Sequence, residues 1–122
     1  MWHKEREKMQ KFSFSGVPSR ADYLIRQAQE KSFGGDHMTA VELLMKVADM
    51  EPQYPEAFAL MGDCYDYLGQ HEQAIANYDR ALTIDPYHAD AWFNKGMSLQ
   101  SVGRSTEATQ CIEKSIELYC GR

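Results

Sequence analysis

The stretch PEAFALMGDCYDYLGQHEQAIANYDRALTIDP, residues 55–86, decides the fold. Phe58, Met61, Tyr65 and Leu68 recur at three- and four-residue steps, the spacing of one helix face. Gly69 follows at once, and glycine takes the left-handed conformation that ends a helix without a Cβ penalty. Ala74, Ile75, Tyr78, Ala81 and Leu82 then resume the helical spacing. Pro86 cannot continue that run and pushes the residue before it toward extended geometry. The stretch therefore reads as two amphipathic helices joined by a glycine turn.

The same punctuation recurs on both sides at a period of 34 residues, which divides the chain into blocks 21–54, 55–88 and 89–122 without gaps. Gly35, Gly69 and Gly103 share the fifteenth place, and Ala40, Ala74 and Ala108 the twentieth. Ala28, Gly62 and Gly96 share the eighth, Leu24, Phe58 and Trp92 the fourth, and Leu44, Tyr78 and Ile112 the twenty-fourth. Small residues at the eighth and twentieth places let two helices approach closely, and the large ones fill the space around them. Six helices are expected, at 21–33, 37–50, 55–68, 71–84, 89–102 and 105–119.

On these residues the chain resembles the tetratricopeptide (TPR) repeat family, with the middle block carrying the fullest signature and AWFNKG at 91–96 resembling the opening of another repeat. The resemblance covers residues 21–122 as three repeats with the block boundaries above. The outer repeats depart from the pattern at Leu24 and Lys31 in the first and at Lys95, Ser115 and Cys120 in the third. The resemblance implies an all-α fold, an α-solenoid of antiparallel helix–turn–helix hairpins forming a right-handed superhelix. It also implies that the first helix of each hairpin lines a concave groove. Each hairpin in such an array buries its apolar face against the next, and three repeats suffice for independent stability.

By the same resemblance, five places of each first helix face the groove. They are Asp22, Ile25, Gln29, Ser32 and Phe33, then Glu56, Ala59, Asp63, Asp66 and Tyr67, then Asp90, Phe93, Met97, Gln100 and Ser101. Five of these fifteen residues are acids and none is basic. Family members that clamp acidic chaperone tails do so with basic and amide side chains. The matching places here are Ile25, Gln29, Leu60, Asp90 and Asn94, so a carboxylate-clamp role is not expected. An acidic groove with aromatic and methionine side chains suits a peptide carrying Lys or Arg and an apolar anchor, although acids on helix faces also serve solubility alone.

Composition excludes other classes. The apolar fraction of 43% and charged fraction of 25% are those of a globular chain with a core. A net charge of −5 argues against nucleic-acid binding through general phosphate attraction. No apolar run reaches the length of about 18 residues that a membrane span needs. Cys64, Cys111 and Cys120 form no CxxC pair, and MWHKEREKMQ lacks the apolar run of a secretory signal, which together point to the reducing cytoplasm. No Cys/His spacing suits zinc, so neither metal nor cofactor is expected. His37 and His71 share the seventeenth place, which points to shared packing, and Cys64 and His71 fall on different helices of a hairpin. No enzyme chemistry is expected.

The ends of the chain stand outside the pattern. Residues 1–20 carry five Lys/Arg against two Asp/Glu and form a basic leader, which leaves −8 on the repeats. Trp2, Met9 and Phe12 fall within roughly 80° on a helical wheel, consistent with a short amphipathic helix, and SGVPS at 15–19 reads as a linker. A frayed leader and a docking helix both fit this pattern. At the other end, Val102, Ile112, Ile116 and Tyr119 have no following hairpin to cover them, which marks a self-association surface or a cut in a longer array. The sequence thus predicts a non-catalytic protein- or peptide-binding scaffold. Self-assembly through the last hairpin, and an accessory domain of a larger enzyme, are the alternatives.

Overall fold

In the computed structural model, residues 19–121 are described and fold into six helices with no strand among them. The helices are α1 (Arg20–Phe33), α2 (His37–Met50), α3 (Pro55–Tyr67), α4 (His71–Ile84), α5 (Ala89–Ser101) and α6 (Ser105–Tyr119). They agree with the sequence expectation to within one residue at each end. Each helix packs against its neighbours in the chain, so the molecule is a linear array of hairpins, an all-α solenoid. No described helix is long and apolar enough to cross a membrane.

Within each hairpin the turn is built the same way. Gly35, Gly69 and Gly103 have φ of 90°, 79° and 83°. The N–H of the next residue (Asp36, Gln70, Arg104) bonds the carbonyl of Lys31, Tyr65 or Leu99 at 2.8, 2.8 and 2.9 Å. This six-to-one bond satisfies a carbonyl that the helix end would otherwise leave open, and it requires the left-handed residue inside it. Asp36 also caps α2 through the Thr39 N–H at 3.2 Å, as its position before the helix predicts. That bond holds the Asp36 carboxyl below the usual carboxylate range.

The eighth and twenty-fourth places meet as expected. A Cβ added to Gly62 would lie 2.6 Å from Tyr78 Cε1, and one added to Gly96 2.7 Å from Ile112 Cγ1. In the first hairpin the two places hold the buried pair Ala28 and Leu44. The core continues along the array through buried Phe58, Met61, Tyr78 and Leu82 to Ile75, Leu99 and Cys111.

The departures from the repeat pattern have local reasons. Lys31 is exposed on α1. Lys95 pairs with Asp79 across α4 and α5 at 2.6 Å and lies 5.6 Å from the Trp92 ring. Ser115 is fully buried and donates to the Ile112 carbonyl at 2.7 Å, so its hydroxyl leaves no unmet bond. The expected amphipathic helix of the leader lies outside the described residues.

Gly62→Ala tests the hairpin packing. An exposed helical glycine would gain about 0.5–1 kcal/mol from alanine, but the new methyl meets a buried tyrosine ring, and overpacking costs about 1–3 kcal/mol. Thermal unfolding followed by circular dichroism is expected to show a lowered Tm. An unchanged or raised Tm would show that Tyr78 can move aside.

Candidate functional site

Two adjoining hollows open on the face shared by α1, α3 and α5. The first, of about 440 Å³, lies between α1 and α3. Gln29, Ser32 and Phe33 wall it from α1, and Leu60, Asp63 and Tyr67 from α3. Phe33 is 93% exposed and Tyr67 75%, so two aromatic rings stand unburied at its rim. Tyr67 is held by the His37 ring stacked on it at 4.8 Å, and His37 Nδ1 lies 3.0 Å from Ser32 Oγ. Cys64 lies on the floor, where burial pushes its thiol up and keeps it in the unreactive protonated form.

The second hollow, of about 400 Å³, shares Asp63 and Tyr67 with the first and adds Asp66, Tyr78 and Asn94. Here the outside helix reaches the groove. The Tyr78 hydroxyl donates to Asp63 Oδ1 at 2.5 Å and lies 3.3 Å from Asp66 Oδ2. Asn94 of the next repeat donates to Asp63 Oδ1 at 3.2 Å, and Ser98 donates to Asp66 Oδ2 at 2.6 Å. His71 Nδ1 sits 2.9 Å from Asp66 Oδ1. Asp66 is therefore bonded at both oxygens. Among the described residues Asp63 is bonded at Oδ1 alone, and no Lys or Arg of them pairs with it. Burial, reinforced by the Asp66 charge, raises its carboxyl above the usual range against the opposing effect of the Tyr78 bond. The Tyr78 hydroxyl is pushed far up by burial and by the same two carboxylates, so it stays a donor.

Other residues expected in the groove are placed differently. Ile25 is 8% exposed and belongs to the buried cluster to which α1, α2 and α3 all contribute. The second-place acids line neither hollow. Each is bonded by the end of its own repeat: Tyr54 donates to Asp22 at 3.0 Å, His88 Nε2 lies 3.2 Å from Glu56, and Tyr119 donates to Asp90. Burial and the Asp22 bond push the Tyr54 hydroxyl up to about 12. His88 Nδ1 accepts from the Ala91 N–H at 3.1 Å, which leaves Nε2 as the atom that donates to Glu56. Phe93 and Met97 are exposed on α5 beyond both hollows. Reading five places of each first helix did not find Ser98, which stands between them on α5, nor His37 and Tyr78, which lie on second helices. A hydroxyl at Tyr78, where a plain apolar residue would pack as well, was the one available signal.

At the end of the array, Val102 packs on the Ile75–Leu99–Cys111 cluster and Ile112 lies against Gly96, and both are half-buried. Ile116 and Tyr119 remain 54% and 59% exposed. Leu82, one repeat earlier, is 7% exposed because α5 covers it.

Family models of the tetratricopeptide repeat match residues 55–88 and 77–110. The chain belongs to the tetratricopeptide repeat family. The small glutamine-rich tetratricopeptide repeat-containing protein 2 of Mycosarcoma maydis is 28% identical over 100 residues, which are 82% of this chain and 28% of that protein. The chain thus spans little more than a quarter of that curated relative. The crystal structure of the Sgt2 TPR domain from Aspergillus fumigatus superposes with a TM-score of 0.80 at 24% identity, covering 86% of this chain and 70% of that one. The first TPR of Spaghetti (RPAP3), bound to the HSP90 peptide SRMEEVD, gives 0.81 at 18% identity, covering 84% and 82%.

The unpaired carboxyl in this TPR groove has a measurable consequence for stability. Its folded pKa lies above the unfolded value, so the folded state binds more protons between the two. Its contribution is most favourable below the unfolded pKa and is lost as pH rises through the folded one. Asp63→Asn is expected to flatten the fall in stability from about pH 4 upward, as measured by denaturant unfolding at a series of pH values. Parallel curves for the two proteins would assign Asp63 an ordinary carboxyl.

Proposed function

We propose that this chain is a non-catalytic TPR interaction module that binds a peptide segment of a protein partner on the face shared by α1, α3 and α5. The segment it suits carries a Lys or Arg next to an apolar side chain. One observation carries this reading: among the described residues Asp63, at the junction of the two hollows, is bonded at one oxygen and has no Lys or Arg partner, and the exposed rings of Phe33 and Tyr67 stand beside it. A cation arriving from a partner would supply the charge that burial has left uncompensated. A guanidinium can also lie over an aromatic ring while it pairs with a carboxylate. The apolar neighbour of that cation would fill the hollow over Leu60.

The RPAP3 domain binds an HSP90 peptide, and its fold is shared here, which supports peptide capture as the general mode. An acidic tail is not the partner we propose. Of the places that match a carboxylate clamp, Ile25 is buried, Leu60 is apolar, Asp90 is an acid, Asn94 is bonded to Asp63, and only Gln29 stands open. A second reading, self-association through the last hairpin, is favoured by the exposure of Ile116 where its counterpart Leu82 is covered. Light scattering over a range of concentrations reads it directly.

Short fluorescent peptides with an Arg–Phe or Lys–Leu pair are the test of the groove. Asp63→Asn should weaken their binding about tenfold, the loss of one charge-assisted bond, and reduce its salt dependence. Phe33→Ala should weaken it at every salt concentration. Equal affinity of both variants and the parent chain would remove the groove from consideration.

A further inference from the structure

The hollow between α1 and α3 has a fitting occupant within the chain itself, and this inference rests on the peptide reading above. Charge is the first argument. Residues 1–18 hold Lys4, Arg6, Lys8 and Lys11 against Glu5 and Glu7, while the repeats are strongly acidic. The hollow contains one carboxyl, Asp63, that no Lys or Arg of the described residues pairs.

Reach is the second. Ser19 caps α1 at its start through the Asp22 N–H, and the hollow lies at the far end of that helix beside Gln29, Ser32 and Phe33. A helix of 14 residues is about 21 Å long. Seven residues of extended chain span about 23 Å, so a segment running back from Ser19 is long enough for Phe12 to reach the hollow and for Lys11, its neighbour, to reach Asp63. The intervening residues, SFSGVP, carry no charge, and Gly16 and Pro18 disfavour helix there. An uncharged stretch of sufficient length thus separates α1 from an aromatic and a cation side by side in the sequence.

We propose that residues 1–18 dock in the groove of their own chain, with Phe12 in the hollow between α1 and α3 and Lys11 beside Asp63, so that a partner peptide must displace them. A tether this short holds its segment at an effective concentration of about 1 mM, and a weakly binding segment at that concentration weakens a competitor roughly tenfold.

The experiment uses the full chain throughout. A fluorescent peptide with the sequence of residues 1–18 is titrated, by anisotropy, with the parent chain and with a full-length variant carrying Lys8→Glu, Lys11→Glu and Phe12→Ser. Circular dichroism checks that the variant keeps its helices. The expected result is about tenfold tighter binding to the variant than to the parent, at every protein concentration. Equal binding to both overturns the inference and leaves the groove reading intact. So does failure of the peptide to bind the variant while Arg–Phe peptides bind it. A weakening in the parent that grows with its concentration assigns the occupant to a second copy and overturns docking in the same chain. Failure of every basic peptide on the variant overturns this inference and the groove reading together.

Discussion

Tyr78 over Gly62 is the contact on which the rest of the structure depends. The missing side chain at the eighth place lets the tyrosine ring of the outside helix cross the hairpin, where it is 1% exposed. Its hydroxyl then emerges on the groove side and donates to Asp63. One contact therefore sets the spacing of α3 and α4 and orients the acid that dominates the groove. Asn94 and Ser98 extend the arrangement into α5, so the junction between the second and third repeats is made through the same two carboxylates. Replacing Asp66 would break bonds to His71, Tyr78 and Ser98 at once, which makes it a structural residue as well as a groove residue.

A repeat protein solves each local problem once and reuses the solution. The six-to-one turn bond appears in all three hairpins at almost the same length. The pairing of a second-place acid with the end of its own repeat also appears three times, with tyrosine, histidine and tyrosine as the partners. The chemistry of the partner changes while the geometry persists, as expected where packing fixes position and the side chain has only to reach an acceptor. Departures from the pattern are met locally, Lys95 by Asp79 of the preceding hairpin and Ser115 by the Ile112 carbonyl. Lys31 is exposed at one end, and Ile116 and Tyr119 at the other.

The helices were legible in the sequence because their signals are local. Glycine at the fifteenth place, proline at the thirty-second and helical spacing between them depend on near neighbours alone, and the helix bounds followed within a residue. The groove was legible only as a face. Helix geometry says which way Asp22, Glu56 and Asp90 point, but not that a residue about thirty positions later donates to each of them. Ile25 reads as groove-facing by its place, yet it lies in a buried cluster that three helices build together. That Asp63 is bonded at Oδ1 alone among the described residues depends on Tyr78 and Asn94, side chains of two repeats, and its place in the sequence does not show it. The partial cover of Val102 was hidden for the same reason, since the cluster it packs on includes Ile75 of the preceding hairpin.

The most direct measurement of where a basic peptide sits is the set of amide shifts it perturbs. An Arg–Phe peptide is added to the ¹⁵N-labelled full chain bearing Lys8→Glu, Lys11→Glu and Phe12→Ser. The account predicts saturable shifts on Gln29, Ser32, Leu60, Asp63, Tyr67 and Asn94, with α6 unaffected. Shifts confined to Ile116, Tyr119 and their neighbours, or none that saturate, would contradict it.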